Sequence, residues 1–462
     1  MGILSLVEDR PTPKCVYNWR VYCSAAVAAS AAIMIGYDSA FIGGTIALDS
    51  FKSEFRFGEL SISEVALLQA NIVSCYQAGA FFGAFFAYPF GHFYGRKWGL
   101  ALFSLVFAIG AGMMLGADGQ RGLGLIYGGR VLAGIGIGAA SNLWQDGGLV
   151  GFWINYGVSE TMAPSHKQWI IPFAVHLVPA GMLLAGSFFI KESPRWLFSR
   201  GRREEGMKNL CWLHKLNQDD ICLQEEIYAI EKAIDDQRTT IGLGFWQPFR
   251  AVFTDQKTSI RLLLGSSLFL WQNATGINAI NYYSPTVFKS IGVTGTNNLL
   301  LTTGIFGVIK TAVTLIWLFY LIDKLGRRGL LLFGSLAGSL CMWYIGGYIA
   351  ISDPASKTST STKLSSGGIS AMFFFYLWTG VYFFASLMLC SLVYVFFLIP
   401  ETKAVPLEKM DQLFSSGIPA RKAHKIVMSE LRAEDARFRR ESLSAKATEA
   451  EVGIEERRVE HV

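Results

Sequence analysis

The sequence predicts an all-α polytopic membrane protein made of two helical bundles. Its 462 residues are 52% hydrophobic but only 16% charged, whereas a soluble chain of this size is about one-quarter charged. A helix needs about 20 apolar residues to cross a bilayer. Nine stretches have this character: 21–48, 65–89, 98–115, 125–143, 169–190, 262–291, 299–322, 329–351 and 371–399.

The polar stretches between these spans set the predicted orientation. Lys and Arg residues favour the cytosolic side of a membrane, and twelve of them lie in the stretch 191–261. We therefore predict a cytosolic N-terminus (1–20), an N-terminal transmembrane bundle (21–190) and a cytosolic central loop (191–261) with short helices at 204–216 and 224–238. A shortened C-terminal bundle (262–399) and a cytosolic tail (400–462) follow.

The stretch 147–158 is apolar but only about half a span long. If it failed to cross, the basic loop 191–261 would be forced to the outer side. We therefore expect a short or tilted fifth span that draws on residues 142–146.

Several function classes find no support in the composition. The seven cysteines include no Cys-x-x-Cys pair, so neither a metal site nor a disulfide framework is expected. The net charge of +6 lies in loops and tail, which argues against a nucleic-acid partner. No nucleophile–base set or phosphate loop indicates an enzyme, and no cofactor is expected.

A polar stretch, WQNATGINAINYYSP at 271–285, interrupts the apolar span 262–291. Residues three apart are neighbours on a helix, so Gln272, Asn278 and the other polar residues predict one winding stripe. Polar groups in hydrocarbon need partners. The stripe either lines a pathway or joins helices through side-chain hydrogen bonds.

The chain also repeats itself. GHFYGRKWG at 91–99 corresponds to DKLGRRGLL at 323–331, and ESPRWL at 192–197 corresponds to PETK at 400–403. Repeated halves are typical of transporters whose substrate site lies between them near the membrane midplane.

These motifs, with GR-x-x-x-G-x-G-x-G at 129–138, resemble the sugar-porter branch of the major facilitator superfamily. The stretches 36–44, 147–158, 271–288 and 339–349 resemble fungal quinate permeases. The resemblance implies proton-coupled import of quinate, or a related sugar or polyol, across the plasma membrane by alternating access. The implied partners are that small-molecule substrate and the lipid bilayer, with cytosolic regulators of the tail left open, and a proton gradient takes the place of a cofactor.

The resemblance also implies roles for individual residues. Asp38 and Arg130 match the proton-coupling pair. The substrate-contacting amides match Gln145, Gln272, Asn273 and Asn278. The cytosolic gate matches Gly95, Arg96, Glu192, Arg195, Asp323, Gly326, Arg327 and Glu401.

Two further residues are candidates on their own chemistry. Tyr282 either stacks on substrate or lines a helix interface. Lys310 lies deep in the apolar stretch 299–322, where an ammonium could pair with the carboxylate of quinate. The alternative for Lys310 is pairing with a helix carbonyl or a neighbouring amide.

The chain departs from the family pattern at two places. After residue 143 and after residue 379 it lacks the chain that the pattern expects, which predicts about 10 spans instead of 12. A transport-incompetent or sensor-like isoform is therefore the alternative function.

Overall fold

The computed structural model describes residues 16–138, 145–274, 277–316, 327–352 and 366–377, together with Ser429. These residues form α-helices and their connections, with a short 3₁₀ helix at Phe57–Glu59. In chain order the helices are α1 (Trp19–Ala47), α2 (Asp49–Glu54), α3 (Ile62–Phe93), α4 (Arg96–Leu115), α5 (Gly124–Ile137), α6 (Gln145–Thr161), α7 (His166–Val175), α8 (Leu177–Phe189), α9 (Pro194–Ser199), α10 (Arg203–His214), α11 (Ile221–Thr240), α12 (Gln247–Thr254), α13 (Gln256–Ala274), α14 (Ile277–Ile291), α15 (Thr296–Ile316), α16 (Arg327–Ser352) and α17 (Ser366–Leu377).

Five apolar segments in the described part of the chain are long enough to cross a membrane: α1, α3, α4, α15 and the pair α7–α8. The predicted helical regions are found at these places, with ends shifted by a few residues. The predicted span at 371–399 is described only over α17, and its remainder lies outside the described residues.

The predicted short fifth span corresponds to α6, a helix of 17 residues about 25 Å long at ~1.5 Å per residue. It packs along α1 in the first half and along α15 in the second half. Helix α6 therefore packs against helices of both halves of the molecule.

The pair α7–α8 is interrupted at His176. Pro179 in α8 has no N–H to donate to the carbonyl of Val175, four residues earlier, and its ring crowds that carbonyl. The interruption places His176 at the centre of the first bundle, where its side chain is fully buried.

The predicted span 262–291 is not straight over its second part. The described residues belong to α13 and α14, with residues 275–276 outside the described part. Within α14, Tyr283 has non-helical φ and ψ of −112° and 15°, because Pro285 two residues later disrupts the hydrogen-bond ladder. The polar residues predicted to form a stripe, 272–281, precede this kink.

The stretch 191–261 holds the two amphipathic helices predicted for it, as α10 and α11. They pack with α9 around a small separate core of Phe198, Leu210, Leu223 and Ile227. Asn18 and Arg20 at the start of α1 donate hydrogen bonds to the carbonyls of Leu213 and Trp212. These bonds attach the separate core to the first bundle.

Candidate functional site

A fully buried ion pair lies at the centre of the first bundle. Nη1 of Arg130 in α5 is 2.7 Å from Oδ1 and 2.8 Å from Oδ2 of Asp38 in α1. Both side chains have zero solvent exposure. The two residues predicted as the proton-coupling pair are therefore in direct contact.

Glycines of α5 allow this contact. A Cβ at Gly134 would overlap the backbone carbonyl of Tyr76 in α3, and Cβ atoms at Gly129 and Gly136 would lie 2.6 Å from backbone oxygens of α4. Because the α5 backbone touches both neighbours, Arg130 is held close to α1. The glycine motif at 129–138 thus acts here through helix packing.

His176 is a third member of this cluster, and the sequence analysis missed it. Its Nε2 lies 2.9 Å from Oδ1 of Asp38, and both side chains are fully buried. A single histidine in an apolar span gives no periodic signal, and only the fold shows that it faces an acid. The one available clue was its depth, since ionisable residues inside membranes are rare and often functional.

Other polar atoms of the cluster have unusual surroundings. Nε of Arg130 donates to the carbonyl of Ile72 at 3.2 Å, and its guanidinium lies 4.5 Å from the ring centroid of Tyr76. Nη2 of Arg130, the hydroxyl of Tyr76 and Nδ1 of His176 make no hydrogen bond within the described residues, and the contact of His176 Nε2 with Asp38 is close but does not have hydrogen-bond geometry. Unpaired buried polar groups are costly.

Tyr282 lies where the two halves meet. Its hydroxyl accepts a hydrogen bond of 2.9 Å from Nε2 of Gln77 in α3, and its ring is buried. The backbone carbonyl of Tyr282 approaches Gly43 of α1 so closely that a Cβ there would overlap it. Two roles were predicted for Tyr282, and the structure shows the contact at a helix interface.

Helices α6 and α15 run past each other in antiparallel register. Ser159 contacts Asn297 near one end, and Gly307 approaches Phe152 farther along. Continuing the same register brings Lys310 of α15 level with about Leu149 of α6, one helical turn from Gln145 at the start of that helix. Lys310 itself is partly buried. Two predicted substrate residues from different halves thus lie within about one helical turn of each other in depth.

The other predicted amides are less fully described. Asn273 is exposed near the end of α13. Gln272 and Asn278 lie in α13 and α14, and their side chains, like that of Gln145, are outside the described part of the structure.

The motif GHFYGRKWG forms a carboxylate-binding turn. Gly95 has a φ of +94° and its added Cβ would overlap the Glu192 carboxylate. Oε1 of Glu192 accepts hydrogen bonds from the backbone N–H groups of Arg96 at 2.9 Å and Lys97 at 3.2 Å. A carboxylate at a helix N-terminus is favoured by the helix dipole. Arg96, one of the predicted gate residues, thus contacts Glu192 through its backbone, and its side chain is exposed.

Few contacts of the remaining predicted gate residues are described. Arg195 is exposed and forms no ion pair among the described residues. Arg327 begins α16, but its side chain is not described. Asp323, Gly326 and Glu401 lie outside the described residues.

The end of the molecule opposite Glu192, which we name the Asp49 end, links the two halves. Thr296 at the start of α15 donates to Oδ2 of Asp49 at 3.1 Å. Oδ1 of Asn297 accepts from Ser159 at 2.5 Å, and its Nδ2 donates to Glu160 at 3.0 Å. These bonds join α2 and α6 to α15.

The described residues form no metal-binding site. In the stretches that the structure describes, no group of three or more His, Cys, Asp or Glu side chains is placed to hold a metal ion. The charged cluster around Asp38 contains one acid, one arginine and one histidine.

Comparison with known sequences gives consistent matches. A family model described as "Sugar (and other) transporter" matches residues 24–145 and 142–383. The chain is 55% identical to a probable quinate permease of Aspergillus niger, covering 96% of each protein. It is 52% identical to a probable quinate permease of Aspergillus oryzae, covering 98% of this chain and 99% of that protein.

These alignments also contain gaps in this chain. The match to the A. niger protein extends over 521 residues, more than the 462 residues of the chain, so that relative has residues that this chain lacks. The two segments of the family match meet at 142–145, where the sequence departs from the family pattern.

Solved structures share the fold. The MFS proton:xylose symporter XylE bound to 6-bromo-6-deoxy-D-glucose matches with a TM-score of 0.65 at 22% identity, covering 85% of this chain and 99% of that chain. A partially occluded inward-open form of XylE from E. coli matches with a TM-score of 0.60 at 22% identity, covering 81% of this chain and 87% of that chain.

Proposed function

Since this chain belongs to the family of sugar (and other) transporters, we propose that it imports quinate, or a related sugar or polyol, together with protons across the plasma membrane. It has the fold of the major facilitator superfamily and is a multi-pass membrane protein, not an enzyme. The relatives named probable quinate permeases support the choice of substrate. A proton gradient drives the uptake, with no cofactor.

The observation that carries the proposal is the buried pair of Asp38 and Arg130. A carboxylate and a guanidinium with no solvent exposure hold each other in the charged state. Protonation of Asp38 removes its charge and releases Arg130 from the pair. Since α1 packs against α14 of the other half, release of this pair changes a contact surface between the halves. Proton binding is thereby coupled to their relative movement.

The substrate is bound between the halves at the depth of Gln145 and Lys310. The α6–α15 register, which brings these two residues within about one helical turn of each other, supports this placement, and the amides Gln272, Asn273 and Asn278 complete the site on the second half. Amides donate and accept hydrogen bonds, which suits ring hydroxyls. The Lys310 ammonium pairs with the carboxylate that distinguishes quinate from a neutral sugar.

The two ends act as alternating gates. The Asp49 end, joined by the Asn297 and Thr296 contacts, faces the outside and is closed in this conformation. The Glu192 end faces the cytosol, as do both termini. There Gly95, Arg96, Glu192 and Arg195 of the first half act with Asp323, Gly326, Arg327 and Glu401 of the second half.

Uptake of labelled quinate in a fungal strain without its own quinate permease tests the proposal. We expect accumulation above the external concentration that collapses when a protonophore removes the proton gradient. Absence of uptake with protein at the cell surface would contradict the transport function. Accumulation that persists with the protonophore would contradict proton coupling.

Lys310→Met tests the substrate class. We expect loss of quinate uptake with unchanged surface expression, because the variant lacks the ammonium but keeps a side chain of similar length. The matched control is Lys289→Met, which removes an exposed lysine of α14 and should leave uptake unchanged. Quinate uptake at the wild-type level in Lys310→Met would exclude pairing of Lys310 with the substrate.

A second candidate function is substrate binding or signalling without transport. The gaps in the alignment with relatives and the division of the family match at 142–145 favour it. Binding of quinate to purified protein that shows no uptake in proteoliposomes would select this candidate. Sequencing the transcript across residues 143–144 and 379–380 would establish whether the gaps are encoded.

A further inference from the structure

We propose that His176 relays the proton to Asp38 in the coupling step. The inference rests on the proposed proton-coupled transport. His176 Nε2 lies 2.9 Å from Oδ1 of Asp38, the same oxygen that Nη1 of Arg130 contacts at 2.7 Å. One carboxylate oxygen is therefore shared by a permanent cation and by an imidazole, whose ring nitrogens can accept and release a proton.

The surroundings of His176 suit a transient positive charge. The ring centroids of Tyr37, Phe41 and Phe107 lie 5.6, 5.0 and 4.6 Å from that of the imidazole. Aromatic rings stabilise a nearby cation through their quadrupoles, and the Asp38 carboxylate supplies the opposite charge. An imidazolium at this position would be balanced by the Asp38 carboxylate, which it would share with the cation of Arg130.

The ionisable groups around His176 come from three neighbouring helices. From α1 they are Asp38 and Tyr37, whose hydroxyl donates to the carbonyl of Pro172 at 2.7 Å. From α5 it is Arg130, which contacts both carboxylate oxygens of Asp38, and from α3 it is Tyr76, whose ring lies against Arg130. Helix α4 presents the ring of Phe107. Of the two cation-forming groups in contact with Asp38, Arg130 keeps its charge, whereas the imidazole of His176 can accept and release a proton.

The proposed relay uses both ring nitrogen atoms of His176, Nδ1 and Nε2. Nδ1 of His176, which makes no hydrogen bond within the described residues, takes up a proton, and Nε2–H then passes its proton to Oδ1 of Asp38. The imidazole is left neutral in its other tautomer, and Asp38 becomes a neutral carboxylic acid. One proton enters and one charge on Asp38 is removed, so the pair with Arg130 is released. The cluster is closed to solvent here, so uptake belongs to the alternate conformation.

His176→Gln tests the relay in reconstituted proteoliposomes. Glutamine can still donate a hydrogen bond to Asp38, but it cannot carry a proton. We expect proton-driven accumulation to fall to equal concentrations on both sides, while exchange of labelled for unlabelled substrate continues. Continued exchange would show that the variant is folded and binds substrate. The matched control is His166→Gln, a largely exposed histidine at the start of α7, which should accumulate substrate as the wild type does.

A second measurement does not depend on transport. After a rapid drop in pH, infrared spectroscopy of the purified protein follows the C=O band of protonated Asp38, identified by its absence in Asp38→Asn. We expect His176→Gln to slow the appearance of this band at least about tenfold, since positioned proton donors accelerate transfer by that factor or more. His166→Gln should not slow it.

The outcomes separate the relay from the function on which it rests. Wild-type accumulation and a wild-type rate of Asp38 protonation in His176→Gln would overturn the relay while leaving proton coupling intact. Persistence of proton-driven accumulation in Asp38→Asn would instead overturn the role of Asp38. A His176→Gln protein that loses exchange together with accumulation, but protonates Asp38 at the wild-type rate, would show a structural role and also overturn the relay.

Discussion

Asp38 contacts two neighbours with different proton chemistry. Arg130 is charged at every physiological pH, whereas the imidazole of His176 can be neutral or protonated. The acid lies 2.7 Å from the first group and 2.9 Å from the second. At the scale of single residues, the proposed energy coupling depends on this unequal pair of partners.

Asp38→Asn is the direct test of the acid. We expect the variant to lose proton-driven accumulation, because asparagine cannot be protonated, while substrate exchange in proteoliposomes persists at a lower level. Loss of the carboxylate leaves Arg130 without its buried counter-charge, so the variant should also be less heat-stable.

The control for that test is Asp219→Asn, an exposed acid outside the bundles, which should behave as the wild type does. Wild-type accumulation in Asp38→Asn would rule out its role in coupling.

The residues of this cluster were not equally predictable. Asp38 and Arg130 came from motifs that resemble a known family. His176 did not, because a lone histidine in an apolar span looks the same whether it faces a neighbouring helix or an acid. Its role depends on a contact between residues 138 positions apart in sequence, which local patterns do not contain.

Helices were predictable wherever their signal was local. The bounds of α1, α4 and α10 follow from apolar or amphipathic patterns. The kink at Tyr283 within 262–291 was missed, although Pro285 is visible in the sequence. Its polar residues were read as one stripe, and the effect of the proline on the preceding turn was not taken into account.

At the scale of helices, α5 is the element on which the site depends most. Its glycines place the backbone against both α3 and α4, so the position of Arg130 is set by backbone contact and not by adjustable side chains. Small residues commonly allow such close approach between membrane helices.

Gly134→Ala is expected to destabilise this packing. The added methyl group would overlap the carbonyl of Tyr76, and overpacking typically costs about 1–3 kcal/mol. Separation of α5 from α3 would also weaken the contact of Arg130 with Asp38. A lower melting temperature of the purified protein and reduced uptake are the expected results.

Gly112→Ala in α4 is the matched control, because its added Cβ would meet no atom within 4 Å. If the two variants melt at the same temperature, the proposed packing role of Gly134 is wrong.

The whole molecule is joined by contacts at the Asp49 end and at the depth of Tyr282. Asn297 bridges Ser159 and Glu160 of the first half, so it connects the halves through two bonds. The sequence contained no sign of this bridge, since each of these residues is an ordinary polar residue in a loop or at a helix end.

Asn297→Ala should loosen the Asp49 end. Without the two bonds, we expect faster hydrogen–deuterium exchange in peptides covering residues 48–54 and 296–304. The neighbouring Asn298→Ala is a matched control, because the Asn298 side chain bonds only the carbonyl of Thr294 in its own segment. Equal exchange in both variants would show that Asn297 does not hold the halves together.

The buried pair also has a consequence for biosynthesis. Asp38 precedes its counter-charge Arg130 by 92 residues, and at about 5–20 residues per second the ribosome needs roughly 5–20 s to synthesise that interval. During this time α1 must enter the bilayer with an uncompensated acid, at a cost of about 3 kcal/mol. The nascent first helix therefore bears this cost alone, and the charged pair forms only when α5 has been synthesised and packs into the bundle.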